Sequence, residues 1–399
     1  MAQAERRADT AIAELEAALL RAELRWRSGE RAEGRTEFDA VVGEASRLSP
    51  SLAALARERR ARLELEAGQP AAALRACTRA RTSGVPPSPR LSELEQRAAL
   101  WTGEPARALV PPTQPALETR AQLLIGRPSA ARKALDPAWG RLIGSGPAAR
   151  FEARLLLARL ELLDGRSAVA MRLLDELQLP IDAPAWLPAD RDTVGLLLAL
   201  ARADISAGDR LAEGPSTCLT PDWGPMAVRW WRLRGAASRG QPAVEAVAAR
   251  LPGAWGQAVA DEMRAWLELS AGRPEPAARA AERARDGAAR AGMPGVARQA
   301  RMLLAAARAE SDAAWSYLSA RGARGRDPIA HLDALELDAL RRQRRHDREG
   351  AIKAWTRLAR IAAPAGWRMR THHARRQLDE LQRGNDATTL PSTLNLDGE

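Results

Sequence analysis

The chain has 399 residues and a formal charge of +11; 46% of it is hydrophobic, carried by Ala and Leu, with only two Phe, one Tyr and two Cys. That length can bury a sizeable core, and an Ala/Leu bias with sparse β-branched residues favours helix throughout. Two isolated thiols, Cys77 and Cys218, exclude a disulfide framework, and the longest apolar run, VGLLLALA at 194–201, falls far short of the ~20 residues that a membrane span needs.

The chain opens on MAQAERRADTAIAELEAALL, which mixes acids and bases and has no signal-peptide core, so a cytoplasmic protein is expected. From there, helical segments are predicted to alternate with short turns that carry a glycine and often a following proline. These turns are SGERAE at Gly29, AGQPAA at Gly68, TGEPAR at Gly103, IGRPSA at Gly126, DGRSAV at Gly165, AGDRLA at Gly208, RGQPAV at Gly240 and AGRPEP at Gly272. A glycine closing one helix and a proline opening the next joins two antiparallel helices.

The spacings, 39, 35, 23, 39, 43, 32 and 32 residues, scatter around the roughly 34 of a tetratricopeptide unit. Residues at fixed offsets from the turn recur with it: a small residue seven before, a small one five after, and apolar ones nine and twelve after. Five units satisfy all four: Ala22, Gly34, Phe38, Val41; Ala61, Ala73, Cys77, Ala80; Ala158, Ala170, Leu174, Leu177; Ala265, Ala277, Ala281, Ala284; and Ala339, Ala351, Trp355, Leu358, the last with His346 where the others have Gly. Small residues let two helices cross closely, and positions three and four apart on the second helix share a face. On these residues the chain resembles the tetratricopeptide repeat family. The resemblance implies an all-α, right-handed superhelical solenoid of about nine to ten antiparallel helix pairs plus a capping helix.

Regular repeats are expected over 1–177. Residues 178–225 form an irregular, Pro-rich middle that includes LQLPIDAPAWLPADR and EGPSTCLTPDWGP. Repeats resume over 226–383, with a turn near 310 that has no Gly and a closing helix RMRTHHARRQLDELQRG. The tail 384–399 has no periodic face and is expected to be disordered.

Nothing in the sequence assembles a catalytic constellation. His331, His346, His372 and His373 stand in no zinc-binding spacing, and with Lys only at 133 and 353 there is no phosphate-binding loop of the Gly-Lys-Ser/Thr type. Cys77 lies at a packing offset and reads as a small buried residue; Cys218, in a loop, is the more reactive candidate. No enzyme activity, metal or cofactor is expected.

Two surfaces could bind a partner. In tetratricopeptide proteins the ligand usually lies in the concave groove lined by the first helix of each pair. The resemblance places Trp26, Arg62, Arg159, Trp230, Arg234, Trp266 and Arg344 there, beside Glu23. Arginines interleaved with Trp would suit an acidic or aromatic-bearing peptide. The second surface is a basic block at 341–376, in which twelve bases face only Asp347 and Glu349. It includes Arg341, Arg342, Arg345, Arg348, Arg368, Arg370, Arg375 and Arg376, and could meet an acidic protein or phosphates.

The expected function is a protein-protein interaction scaffold or sensor, similar to the helical regions attached to bacterial regulators and signalling kinases. The alternative is sequence-tolerant nucleic-acid binding through the C-terminal arginines.

Overall fold

A computed structural model describes residues 2–67, 69–82, 88–102, 104–110, 113–181, 183–184, 186–214, 220, 222–250, 254–291, 293–316 and 328–383. These residues form helices and turns with no strand, so the chain is all-α, with helices packed against their neighbours in sequence. Gly68, Gly103, Cys218 and the tail 384–399 lie outside the described residues. The chain divides into two units, Met1–Leu117 and Glu118–Glu399, rather than at the Pro-rich middle.

The first unit contains α1 (Ala2–Arg27), α2 (Arg31–Leu48), α3 (Pro50–Glu66), α4 (Pro70–Arg81), α5 (Pro89–Thr102) and α6 (Pro105–Ala108). Gly29 ends α1 at φ +99°, a conformation glycine adopts without a Cβ clash, and the Glu30 N–H reaches back to the Arg25 carbonyl at 3.0 Å. The chain thereby reverses into α2. Where the two helices cross, a Cβ on Gly34 would lie 3.0 Å from the Ala22 carbonyl oxygen. Leu15, Leu19, Trp26, Phe38, Val41, Leu52 and Leu63 close the core around that crossing. Cys77 is fully buried in α4, and burial first, then Glu95, pushes its thiol up to about 12.

The boundary with the second unit falls within α7 (Pro115–Leu124). There follow α8 (Pro128–Leu135), α9 (Trp139–Gly144), α10 (Pro147–Leu163), α11 (Ser167–Asp175), α12 (Trp186–Arg202), α13 (Ile205–Ala212), α14 (Trp223–Arg234), α15 (Gln241–Arg250), α16 (Ala254–Ser270), α17 (Pro274–Arg290), α18 (Pro294–Ala307), α19 (Pro328–Arg344), α20 (Arg348–Ala362) and α21 (Arg368–Gln382). Much of the stretch expected to be irregular is thus the ordinary pair α12 and α13.

Left-handed residues mark the turns at Gly126, Gly165, Ala203, Gly235, Gly272, Ala309 and His346. From Gly235 onward these positions are 37 residues apart, a steadier period than the glycines alone suggested. His346 does occupy the glycine position, at φ +58°. Gly208 and Gly240 do not mark turns: the reversals lie at Ala203 and Gly235, while Gly208 sits inside α13 and Gly240 ends a short 3-10 turn.

Gly208 is there for another reason. A Cβ at that position would lie 2.1 Å from the Trp230 ring, and Trp230 cannot retreat, because it is fully buried and its Nε1–H donates to Asp209 Oδ1 at 2.8 Å. Gly208→Ala should therefore destabilise by about 1–3 kcal/mol through overpacking, despite alanine's higher helix propensity. A urea-unfolding midpoint equal to or above wild type would show that the indole can move.

The second unit does not simply stack pair on pair. Its last described helix, α21, packs on α20 and also on α12 and α14. The turn preceding it brings Ala365 so close to the α10–α11 turn that a Cβ on Gly165 would lie 2.9 Å from the Ala365 carbonyl oxygen. Helix α21 and the turn before it thus fold back onto the α10–α14 region of the same unit.

Candidate functional site

In the first unit, α1 and α3 present the same stripe at i, i+3, i+4 and i+7, the spacing that shares one helix face: Leu20, Glu23, Leu24, Arg27 on α1 and Leu55, Glu58, Arg59, Arg62 on α3. On α5 the equivalent positions, 35 residues later, are Arg90, Glu93, Leu94 and Arg97. Each helix therefore carries the same Glu-x-x-x-Arg pair. Between them lies a cleft of about 240 Å³, lined by Glu23, Arg27, Leu55, Glu58, Arg59, Arg62 and Arg90.

Charge in this cleft is one-sided. Glu23 gathers Arg27 at 2.9 Å, Arg59 at 3.3 Å and Arg62 at 2.5 Å, while Glu58 accepts from Ser88 at 2.6 Å and lies 3.8 Å from Arg90. Four guanidiniums thus share Glu23 and Glu58 within the cleft, and Glu66 lies 3.7 Å from Arg62 Nε at its margin. A guanidinium has five N–H donors, so four of them offer more donors than these carboxylates take; Arg62 Nε, for one, faces Glu66 beyond hydrogen-bond distance. Leu20, Leu24 and Leu55 stay 54%, 67% and 40% exposed beside these charges. The cleft can accept carboxylates and cover apolar side chains together.

Of the residues expected to face a groove, Arg62 lines this cleft and Trp26 lies buried behind it, its ring 5.1 Å from the Arg35 guanidinium carbon. Those in the second unit have internal partners. Arg159 pairs with Asp222; Arg234 and the Trp230 indole converge on Asp209; Trp266 is buried with the Arg232 guanidinium 3.9 Å from its ring centroid. Arg344 is half-buried and burial lowers its pKa. The Trp pattern could not reveal this, because an indole that fills a core and one that lines a groove have the same helical spacing.

The second unit has instead an ionic core among α14, α19 and α21. Arg229 grips Asp333 through Nη2 at 2.6 Å and Nε at 3.4 Å. Arg370 donates to Glu336 at 2.9 Å and also to Asp333, and Arg232 pairs with Glu336. Burial would raise the Asp333 carboxyl, but Arg229 and Arg370 overcome it and hold the group well below the usual carboxylate range. Burial first, then Arg376, keeps the His373 imidazole neutral beside Glu336, with the ring edge-on to Trp355.

Glu262, on α16, lines a small cleft at this core. It retains part of its surface, yet crowding around the carboxyl dominates: burial pushes it up to about 8, with Asp333 adding and Arg229 opposing. The unfolded carboxyl titrates near ~4.3. The folded chain therefore holds the extra proton between those values, and stability falls as pH rises from about 4.3 to 8. Glu262→Gln should remove that slope and exceed wild-type stability at pH 8.5 by on the order of 3 kcal/mol. Parallel pH-stability curves for the two proteins would contradict the assignment.

The basic block is partly consumed by folding. Arg341 is fully buried, donating to the Glu310 carbonyl, Asp312 and Asp338 at 2.6, 2.6 and 2.8 Å. Arg342 binds Asp338 and Asp347, Arg345 reaches Asp312, Arg348 donates to the Leu381 carbonyl, and Arg376 contacts His373. Arg357, Arg360, Arg368 and Arg375 remain exposed on α20 and α21 without an ion pair among the described residues. No described helix is long and apolar enough to cross a membrane. The chain matches no family model and no curated protein.

Proposed function

We propose that the chain is a tetratricopeptide-like α-solenoid that acts as an interaction scaffold, and that its first unit holds an acidic, leucine-bearing segment of a partner protein along α1, α3 and α5. The observation that carries this reading is the stripe repeated on three successive first helices, with four arginines and two glutamates around the 240 Å³ cleft and three exposed leucines beside it. Carboxylates of the segment would take the unused guanidinium donors in charge-assisted pairs, and its leucines would cover Leu20, Leu24 and Leu55. Membership of a regulatory or signalling complex would follow from such binding.

Fluorescence anisotropy with a labelled peptide that alternates acids and leucines tests this on the full chain. Binding should weaken as salt rises, and Arg27→Glu with Arg90→Glu should weaken it roughly tenfold or more. Both side chains are more than half exposed, so the fold should survive the change. Equal binding by wild type and this double variant would refute the proposal. Tight oligonucleotide binding lost on Arg368→Glu with Arg375→Glu would favour the C-terminal arginines as a nucleic-acid surface instead.

A further inference from the structure

The Pro-rich stretch that follows α11 carries an acidic and apolar surface that folding leaves uncovered. Helix α11 ends at Asp175, and the Glu176 N–H closes its last turn on the Arg172 carbonyl at 3.1 Å. Further on, the Ala183 N–H donates to the Pro180 carbonyl at 3.1 Å, which makes a β-turn with Ile181 near its tip. Ile181 is 102% exposed and Leu179 40%, and they are the large hydrophobics of the second unit that stand exposed among the described residues. Asp175 and Glu176, just before them, are exposed as well and have no ion pair among the described residues.

The cleft of the first unit is the complement of this surface in charge and in polarity. Arg27 and Arg90 are the most exposed of its arginines, at 58% and 60% of the side chain, and Leu20, Leu24 and Leu55 stand uncovered beside them. Two carboxylates without partners thus match two guanidiniums that reach into solvent. Two uncovered aliphatic side chains match three others.

We propose that these surfaces meet between copies: the segment from Asp175 to Ile181 of one copy docks in the α1, α3 and α5 cleft of a second. Asp175 and Glu176 take the exposed guanidiniums in charge-assisted pairs, and Leu179 and Ile181 cover the leucines of the cleft. This assignment rests on the peptide-binding role proposed for that cleft and names its occupant as the chain itself. Donor and acceptor surfaces differ, so the contact is heterologous and copies join head to tail. One loop in one cleft makes a small interface of the weak, transient class. A partner protein with a similar segment would therefore compete with self-association for the same arginines.

Light scattering on the full wild-type chain should show a mass that rises with protein concentration and falls with added salt. Asp175→Arg with Glu176→Arg, and separately Arg27→Glu with Arg90→Glu, should each raise the concentration needed for half-association by about tenfold or more. All four side chains are exposed, and bases suit a helix C-terminus, so both variants should fold. An equimolar mixture of the two should associate again, because each supplies the charge complementary to the other's altered surface. A wild type that stays monomeric, variants that associate as it does, or variants that stay apart when mixed would each overturn the proposal. Binding of the labelled acidic, leucine-bearing peptide then decides separately whether the cleft keeps its proposed role: peptide bound at the cleft would leave that role standing, and no binding would remove both.

Discussion

Asp333→Ala should be among the most damaging single substitutions in the second unit, with an expected cost of about 3–5 kcal/mol. The carboxylate is 4% exposed and lies within pairing distance of Arg229, Arg232 and Arg370. Removing it takes a shared carboxylate from the buried Arg232 and Arg370 and from the partly buried Arg229. A buried charge without a counter-ion costs far more than the pair contributed. The loss should appear as a lowered denaturation midpoint, and it should shrink when Arg370→Met is added, because one of the cations that Asp333 served is then gone. An Asp333→Ala protein that melts within a degree of wild type would show that the core is open to water.

Arg120→Ala should cost a similar ~3–5 kcal/mol for the opposite sign of charge. Arg120 on α7 is 3% exposed and binds Asp190 of α12 through both Nη atoms, at 2.8 and 2.7 Å, with Glu152 of α10 at 3.5 Å. Burial would lower its pKa, but Asp190 more than compensates and keeps the guanidinium fully charged. Alanine would take from the buried Asp190 the guanidinium that binds both of its oxygens. The loss should appear as a lowered denaturation midpoint, and an Arg120→Ala protein that melts within a degree of wild type would contradict this account.

These two residues also mark the limit of what the sequence could convey. The helix pairs were legible because close crossings tolerate only small side chains: Ala61, Ala73, Ala158, Ala170, Ala265, Ala277, Ala339 and Ala351 all stand at predicted offsets, and all are buried. His346 was recognisable in a glycine position because the residues around it kept the register. Gly208 misled because a glycine needed for space beside Trp230 looks the same in sequence as a glycine needed for a left-handed turn.

The charged core was not legible. Arginine is spread over nearly every helix, and composition cannot tell a guanidinium that stacks on Trp266 from one that faces water. Arg229 on α14 finds Asp333 on α19 104 residues away, a pairing that no local period encodes. The cleft of the first unit lay in between. Glu23 and Arg62 were singled out singly, whereas the signal that identifies the site is the recurrence of Glu23–Arg27, Glu58–Arg62 and Glu93–Arg97 at 35-residue spacing.

The most direct test of the central claim is hydrogen-deuterium exchange of the full chain with and without the acidic, leucine-bearing peptide. Binding in the first-unit cleft predicts added protection in α1, α3 and α5 and little change in α20 and α21. Protection confined to α20 and α21 would instead place recognition on the C-terminal arginines and contradict the account.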